Sequence, residues 1–209
     1  DTPVVVELFT SQGCSSCPPA DEMLARLGER DNVIALALHV DYWDYIGWKD
    51  KFAHAAFTKR QKGYARSFGN RSIYTPQMVI NGAADVVGNR PMDVTDMVQD
   101  HAAKGLRVAL TLKRSGDRLT ITAPASSGLA EADVILVRYT PSETVSIPRG
   151  ENAGKKLDYT HVVTEWSDIG DWNGRTPLSS SVPVSGAAPI VVLVQQKGYG
   201  PIFAAARLR

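Results

Sequence analysis

The stretch PVVVELFTSQGCSSCPPADEMLARLGERDNVIALALHV, residues 3–40, decides the fold. Its first eight residues are short, apolar and β-branched, which predicts a buried strand. Pro18 and Pro19 stand where a first helical turn tolerates proline, and Asp21 and Glu22 follow near the positive end of a helix dipole. Ala20, Met23, Leu24 and Leu27 recur at helical spacing, and Gly28 is a stop. Residues 33–40, VIALALHV, predict a second buried strand. A strand, a helix and a strand within about forty residues imply parallel pairing with a right-handed crossover.

The only two cysteines of the chain, Cys14 and Cys17, lie between the first strand and the helix. Three readings compete for them. Structural zinc would want a second Cys-x-x-Cys or a histidine pair, and the sequence has neither. Buried cysteines without chemistry are the plain alternative. The redox reading has a physical basis. Unsatisfied N–H groups and the dipole at a helix N-terminus stabilise a thiolate at Cys14, and Cys17, one turn in, suits the resolving role. Glu7 lies on the strand entering the motif. A carboxylate on a buried strand needs a role or a partner. Glu7 is therefore read as a proton shuttle for Cys17, with a solvent-facing edge position as the alternative.

Working outward, residues 51–68 read as a helix after an aromatic-rich approach, with Ala53, Ala56, Phe57 and Tyr64 on one face. A strand opens after Pro76, Asn81-Gly82 signals a hairpin into a strand at 84–88, and residues 92–104 predict a last helix. Beyond Gly105 the texture changes to alternating strands without a strong helix. Within it, LSSSVPVSG, residues 178–186, reads as a loop. That half is expected to be an antiparallel all-β, sandwich-like domain over 106–209.

The order of strand, Cys-x-x-Cys, helix, strand, helical excursion and Thr75-Pro76 hairpin over residues 1–105 resembles the thioredoxin superfamily. The resemblance implies an α/β thioredoxin-like domain, with Cys14 as nucleophile, Cys17 as resolver and Pro76, preceded by Thr75, beside them. It also implies Glu7 as a buried acid, although Glu7 sits one residue further from the first cysteine than the superfamily pattern places it. The segments ELFTSQGCSSCPPAD, HVDYWDYIGWKD, YTPQMVING and RGENAG are together similar to a bacterial family of secreted or periplasmic proteins known as a domain of unknown function. That likeness implies export, hence a periplasmic or secreted location. The opening DTPVVVELF, already strand-like, fits a mature exported chain or a trimmed cytosolic one.

Other residues stand out. His39 and Asp41 end the second strand on a shared face, where open α/β sheets place their sites. With Cys14 and Cys17, His39 makes a soft-metal site for copper the alternative to exchange chemistry. Trp43, Tyr45 and Trp48 are candidate walls of a substrate groove, or packing for the excursion. Arg149 and Glu151 are read as bracing a loop or pairing across a domain interface. A net charge of +1 gives no field to steer nucleic acid, and no apolar run approaches the roughly 18 residues of a membrane span. The expected function is a thiol–disulfide oxidoreductase of the cell envelope. Its partners are protein or small-molecule thiols and disulfides, and the disulfide itself is the redox group, with no organic cofactor. A copper-binding module and a non-catalytic interaction scaffold are the alternatives.

Overall fold

The computed structural model describes residues 1–209. The expected strand–helix–strand unit is present as β1 (Val4–Thr10), α1 (Pro18–Gly28) and β2 (Val33–His39). β1 and β2 pair in parallel from Val4↔Val33 to Thr10↔His39. α2 spans Ala55–Phe68, starting four residues later than its sequence pattern suggested. His54 caps it by accepting the Ala56 N–H on Nδ1 at 3.0 Å, and Gly69 ends it in the left-handed region. Its buried face carries Phe57 and Tyr64 as expected, together with Arg60 and Gln61, whereas Ala56 is exposed. β3 (Gln77–Ile80) and β4 (Ala84–Val87) form the hairpin around Asn81-Gly82, both at positive φ, and α3 spans Pro91–Lys104.

The second half does not form a separate sandwich, so a thioredoxin-like α/β domain followed by an all-β domain is not the architecture. β5 (Thr111–Ser115), β6 (Arg118–Ala123) and β9 (Leu178–Pro183) make a small three-stranded sheet. β7 (Ala132–Ile147), β8 (Lys155–Trp172), β10 (Ile190–Gln196) and β11 (Ile202–Leu208) instead join the first half in one mixed eight-stranded sheet. Its order is β11-β10-β7-β8-β2-β1-β3-β4. The join is parallel pairing of β8 with β2 at Ala37↔Val162. The physical reason is legible in burial. β2 is buried along its whole length, so its outer edge would leave backbone groups unpaired without β8. LSSSVP, expected within a loop, is strand β9: Leu178 is buried, while Ser179 and Ser181 face water.

Strand parity divides the core. Val5 and Phe9 of β1 share a cluster with Phe57 and Tyr64 of α2 and with Val137 and Leu193 of the second half. Val4, Val6 and Leu8 point the other way, into a cluster with Leu24 of α1 and Val94 of α3. On that second face the three-stranded sheet covers the C-terminal strands through Leu119 and Ile121. Both faces of the large sheet are therefore covered, which places the end of β1 and the start of α1 in a buried setting. No helix is long and apolar enough to cross a membrane.

Candidate redox site

At the C-terminal end of β1 the chain turns tightly, and the Cys14 N–H donates to Ser11 O at 3.2 Å. Cys17 is the N-cap of α1, with Pro18 and Pro19 following. Cys14 and Cys17 form a disulfide with Cα atoms 5.4 Å apart. The pair is enclosed: Cys14 is 3% exposed and Cys17 fully buried. Ser15 and Ser16 between them are exposed, and Ser16 Oγ lies 3.5 Å from Cys14 Sγ.

The acid on the disulfide's face of the sheet is Asp21. Its N–H donates to Cys17 O at 3.0 Å, so the two residues are one helical turn apart, where side chains at i and i+4 are neighbours. The carboxyl is buried and accepts one hydrogen bond, from Thr10 Oγ1 at 2.7 Å, with no cation paired to it. Burial pushes its pKa up to about 7, with His39 and the Thr10 hydroxyl opposing and Asp50 assisting. A cavity of about 470 Å³ lies between α1 and β8, lined by Asp21, Pro18 and Tyr159. Behind Asp21, His39 Nδ1 lies 2.7 Å from Asp50 Oδ2, and Asp50 also accepts the Gln12 and Phe52 N–H groups. His39 Nε2 and the Tyr159 hydroxyl are buried without partners, and the His39 and Tyr159 rings meet edge to face at 5.3 Å. Burial, with Asp21 and Asp50 near, pushes the Tyr159 phenol far up. Sequence reasoning treated Asp21 only as a helix-dipole acid. The available signal was its spacing of four from Cys17.

Glu7 is elsewhere. Its odd parity on β1 puts it on the α2 face, opposite α1. There Arg60 Nε and Nη2 donate to its two oxygens at 2.7 and 3.0 Å, and the Tyr64 hydroxyl donates at 2.5 Å. Arg60 also donates to Gln195 Oε1 and stacks 4.2 Å from the Trp166 ring centroid. Burial alone would pull the guanidinium down, but Glu7 and Tyr64 outweigh it and Arg60 is raised. Glu7 is therefore part of a buried ion pair within the first half, which Gln195 and Trp166 of the second half cover through Arg60, and not a neighbour of Cys17. Its odd position on β1 is what turns it to that face.

The Thr75–Pro76 peptide bond is cis. The Trp43 indole N–H donates to Thr75 Oγ1 at 2.8 Å, and Trp43 packs on the loop before Cys14, where a Cβ on Gly13 would come within 3.1 Å of it. The Trp48 indole donates to Gln12 Oε1 at 2.8 Å. Both tryptophans are thus bonded into the rim of the site, whereas Tyr45 is 81% exposed and stands away from the core. His39 and Asp41 part company: Asp41 is bonded to Thr58 at 2.6 Å, on α2. The cysteines and His39 do not group as metal ligands. The one such group is Asp133, Asp168 and Asp171, where Lys197 Nζ already bridges Asp133 and Asp171 at 2.7 and 2.9 Å. Of the RGENAG segment, the residue that reaches the site is Asn152, which donates to Gln12 O and Cys14 O at 2.9 Å each. Arg149 and Glu151 make no ion pair.

Fold and site together define a mixed-sheet α/β protein with an enclosed Cys-x-x-Cys disulfide at a helix N-terminus, backed by a buried acid. The chain belongs to the family described as "Protein of unknown function (DUF1223)", whose model matches residues 5–195. No curated protein matches it. Among solved structures, an X-ray crystal structure of a protein from Agrobacterium tumefaciens is 34% identical with a TM-score of 0.85. The match covers 100% of this chain and 95% of that one. HBP35 of Porphyromonas gingivalis is similar at 14% identity and a TM-score of 0.67, over 99% of this chain and 74% of that one. At that identity the likeness is one of fold.

Proposed function

We propose that the protein is a thiol–disulfide oxidoreductase of the bacterial cell envelope, with Cys14 and Cys17 as its redox pair. The observation that carries this reading is the placement of Asp21, an uncompensated buried carboxyl one turn beyond Cys17 with a pKa of about 7. Such a group exchanges a proton near neutral pH, which is what a resolving thiol needs. The order of β1, the cysteine pair, α1, β2 and Thr75–Pro76 is also that of thioredoxin-superfamily redox units, which supports the chemistry.

In the direction that reduces a substrate disulfide and oxidises the protein dithiol, the Cys14 thiolate, favoured at the N-terminus of α1, attacks that disulfide and releases one substrate thiolate. Asp21 then takes the Cys17 proton, and the Cys17 sulfur attacks Cys14 Sγ. The second substrate thiolate leaves, and the Cys14–Cys17 bond closes. Asp21, which lines the cavity, then gives up the proton. In the reverse direction the same steps run backwards. Thr75, Pro76, Trp43 and Trp48 shape the rim that faces the substrate. The redox group is the disulfide itself.

The test is an exchange assay with glutathione disulfide. Cys14→Ser is expected to abolish turnover, and Cys17→Ser to accumulate a mixed disulfide at Cys14 visible by mass spectrometry. Full activity in Cys14→Ser would refute the reading.

A further inference from the structure

β7 and β8 run well past the pairing at Ala37↔Val162 that ties them to β2, and remain paired with each other out to Ile147↔Lys155. The turn 148–154 is thereby carried onto the redox loop. Asn152, 1% exposed, spends its two amide hydrogens on Gln12 O and Cys14 O, and its Oδ1 lies 3.2 Å from Lys155 Nζ. Gly150, at φ 83°, lets the turn press on Trp48, whose indole holds the Gln12 side chain. Beneath the arm Val145, Ile147, Tyr159 and Val162 form their own cluster with Trp48 and Phe52. Gln12 is gripped on three sides: its N–H by Asp50, its carbonyl by Asn152 and its side chain by Trp48. The arm is a packed roof. It leaves Ser15 and Ser16 as the exposed approach to a cysteine pair that is otherwise covered.

We propose that Asn152 is a specificity-determining residue of this site: by fastening the β7–β8 turn to the carbonyls of Gln12 and Cys14, it admits small thiols to Cys14 and excludes thiols carried on folded proteins. The inference rests on the reading of Cys14–Cys17 as an exchanging pair. A small thiolate bonds to Cys14 Sγ as the Cys14–Cys17 bond breaks, and Cys17 leaves with the electron pair and takes a proton. A second small thiolate attacks the substrate sulfur of the mixed disulfide. It releases the small-molecule disulfide and the Cys14 thiolate, so two thiols are oxidised for one protein disulfide reduced. A thiol on a folded protein brings a surface broader than the gap at Ser15 and Ser16, so it reacts only when the turn lifts and both Asn152 hydrogen bonds break.

The experiment compares, on the full chain, the rates at which glutathione and a reduced folded dithiol protein such as thioredoxin reduce the Cys14–Cys17 disulfide. Both are read by alkylation and mass spectrometry. The expected result is that glutathione is the faster reagent per thiolate in the wild type. Losing two hydrogen bonds raises the protein-to-glutathione rate ratio by about tenfold or more in Asn152→Ala. Asn152→Asp, which keeps the size but has no amide hydrogens to donate, is expected to follow it. A wild type that reacts with the protein dithiol as fast as with glutathione overturns the proposal, as does an unchanged ratio in both variants. The wild-type comparison stands even where the variants fail to fold. A native disulfide inert to both reagents overturns instead the exchange reading beneath it.

Discussion

Glu7 and Asp21 are buried acids of one strand–helix unit, and they lie on opposite faces of β1. Glu7 has a guanidinium across two hydrogen bonds, a tyrosine hydroxyl, and a glutamine on the same arginine. Asp21 has one threonine hydroxyl and no cation. Burial is common to both, so burial does not distinguish a structural acid from a chemical one. The counter-charge does. A fixed cation makes a carboxylate part of the scaffold. Its absence leaves the carboxyl free to gain and lose a proton near pH 7.

The sharpest way to break this contrast is to remove the cation. Arg60→Leu leaves Glu7, Tyr64 and Gln195 without their shared partner, and is expected to cost about 3–5 kcal/mol in urea unfolding. Adding Glu7→Leu should restore most of that loss. A single variant that loses under about 1 kcal/mol would mean that the pair is not a fixed part of the buried scaffold.

Asp21 should behave in the opposite sense. Its folded pKa of about 7 lies above the ordinary value of 3.8, so between those values the folded state holds a proton that the unfolded state has released. Stability from this group therefore falls as pH rises from about 4 to about 7, by a few kcal/mol in all. Asp21→Asn should remove that fall and leave the variant more stable than the wild type at pH 8. His161 opposes it in part of the same range. Burial, with Arg207 and Arg209 near, lowers its pKa to about 4, so its contribution is lost as pH falls from 6.5 towards 4. Stability curves of Asp21→Asn and His161→Gln should slope in opposite directions between pH 4 and 6.5. Parallel curves would contradict both assignments.

Smaller effects complete the series. The Cys14–Cys17 bond closes a very short loop, so reducing it should lower stability by only about 2 kcal/mol, leaving a dithiol form folded at 25 °C. Loss of the native circular dichroism spectrum on reduction would make the bond a staple instead. The exposed Lys51–Glu143 pair is expected to contribute under about 0.5 kcal/mol in a double-mutant cycle.

Much of the first half was legible in residues 3–40, because continuous apolar runs and helical spacing are local signals. What joined the halves was not. The second half reads as a sandwich, yet the apolar runs ADVILV and PIVVLV, without alternation, are the mark of strands covered on both faces. Their partners lie far away in sequence, and periodicity carries no information about which edge a strand will meet. Cys14, Cys17, Thr75 and Pro76 were singled out by type and spacing. Glu7 was singled out by burial and resemblance, neither of which says which face of β1 it takes; its odd position puts it on the α2 face. Asn152 was invisible because its task depends on the length of the β7–β8 arm, which no local motif encodes.

The central claim is most directly tested by equilibrating the native protein with glutathione buffers and counting free thiols by alkylation and mass spectrometry. The account predicts a reversible two-electron transition at a potential between about −120 and −270 mV, with the fold retained throughout. A disulfide that stays closed in excess reductant until denaturant is added would contradict it.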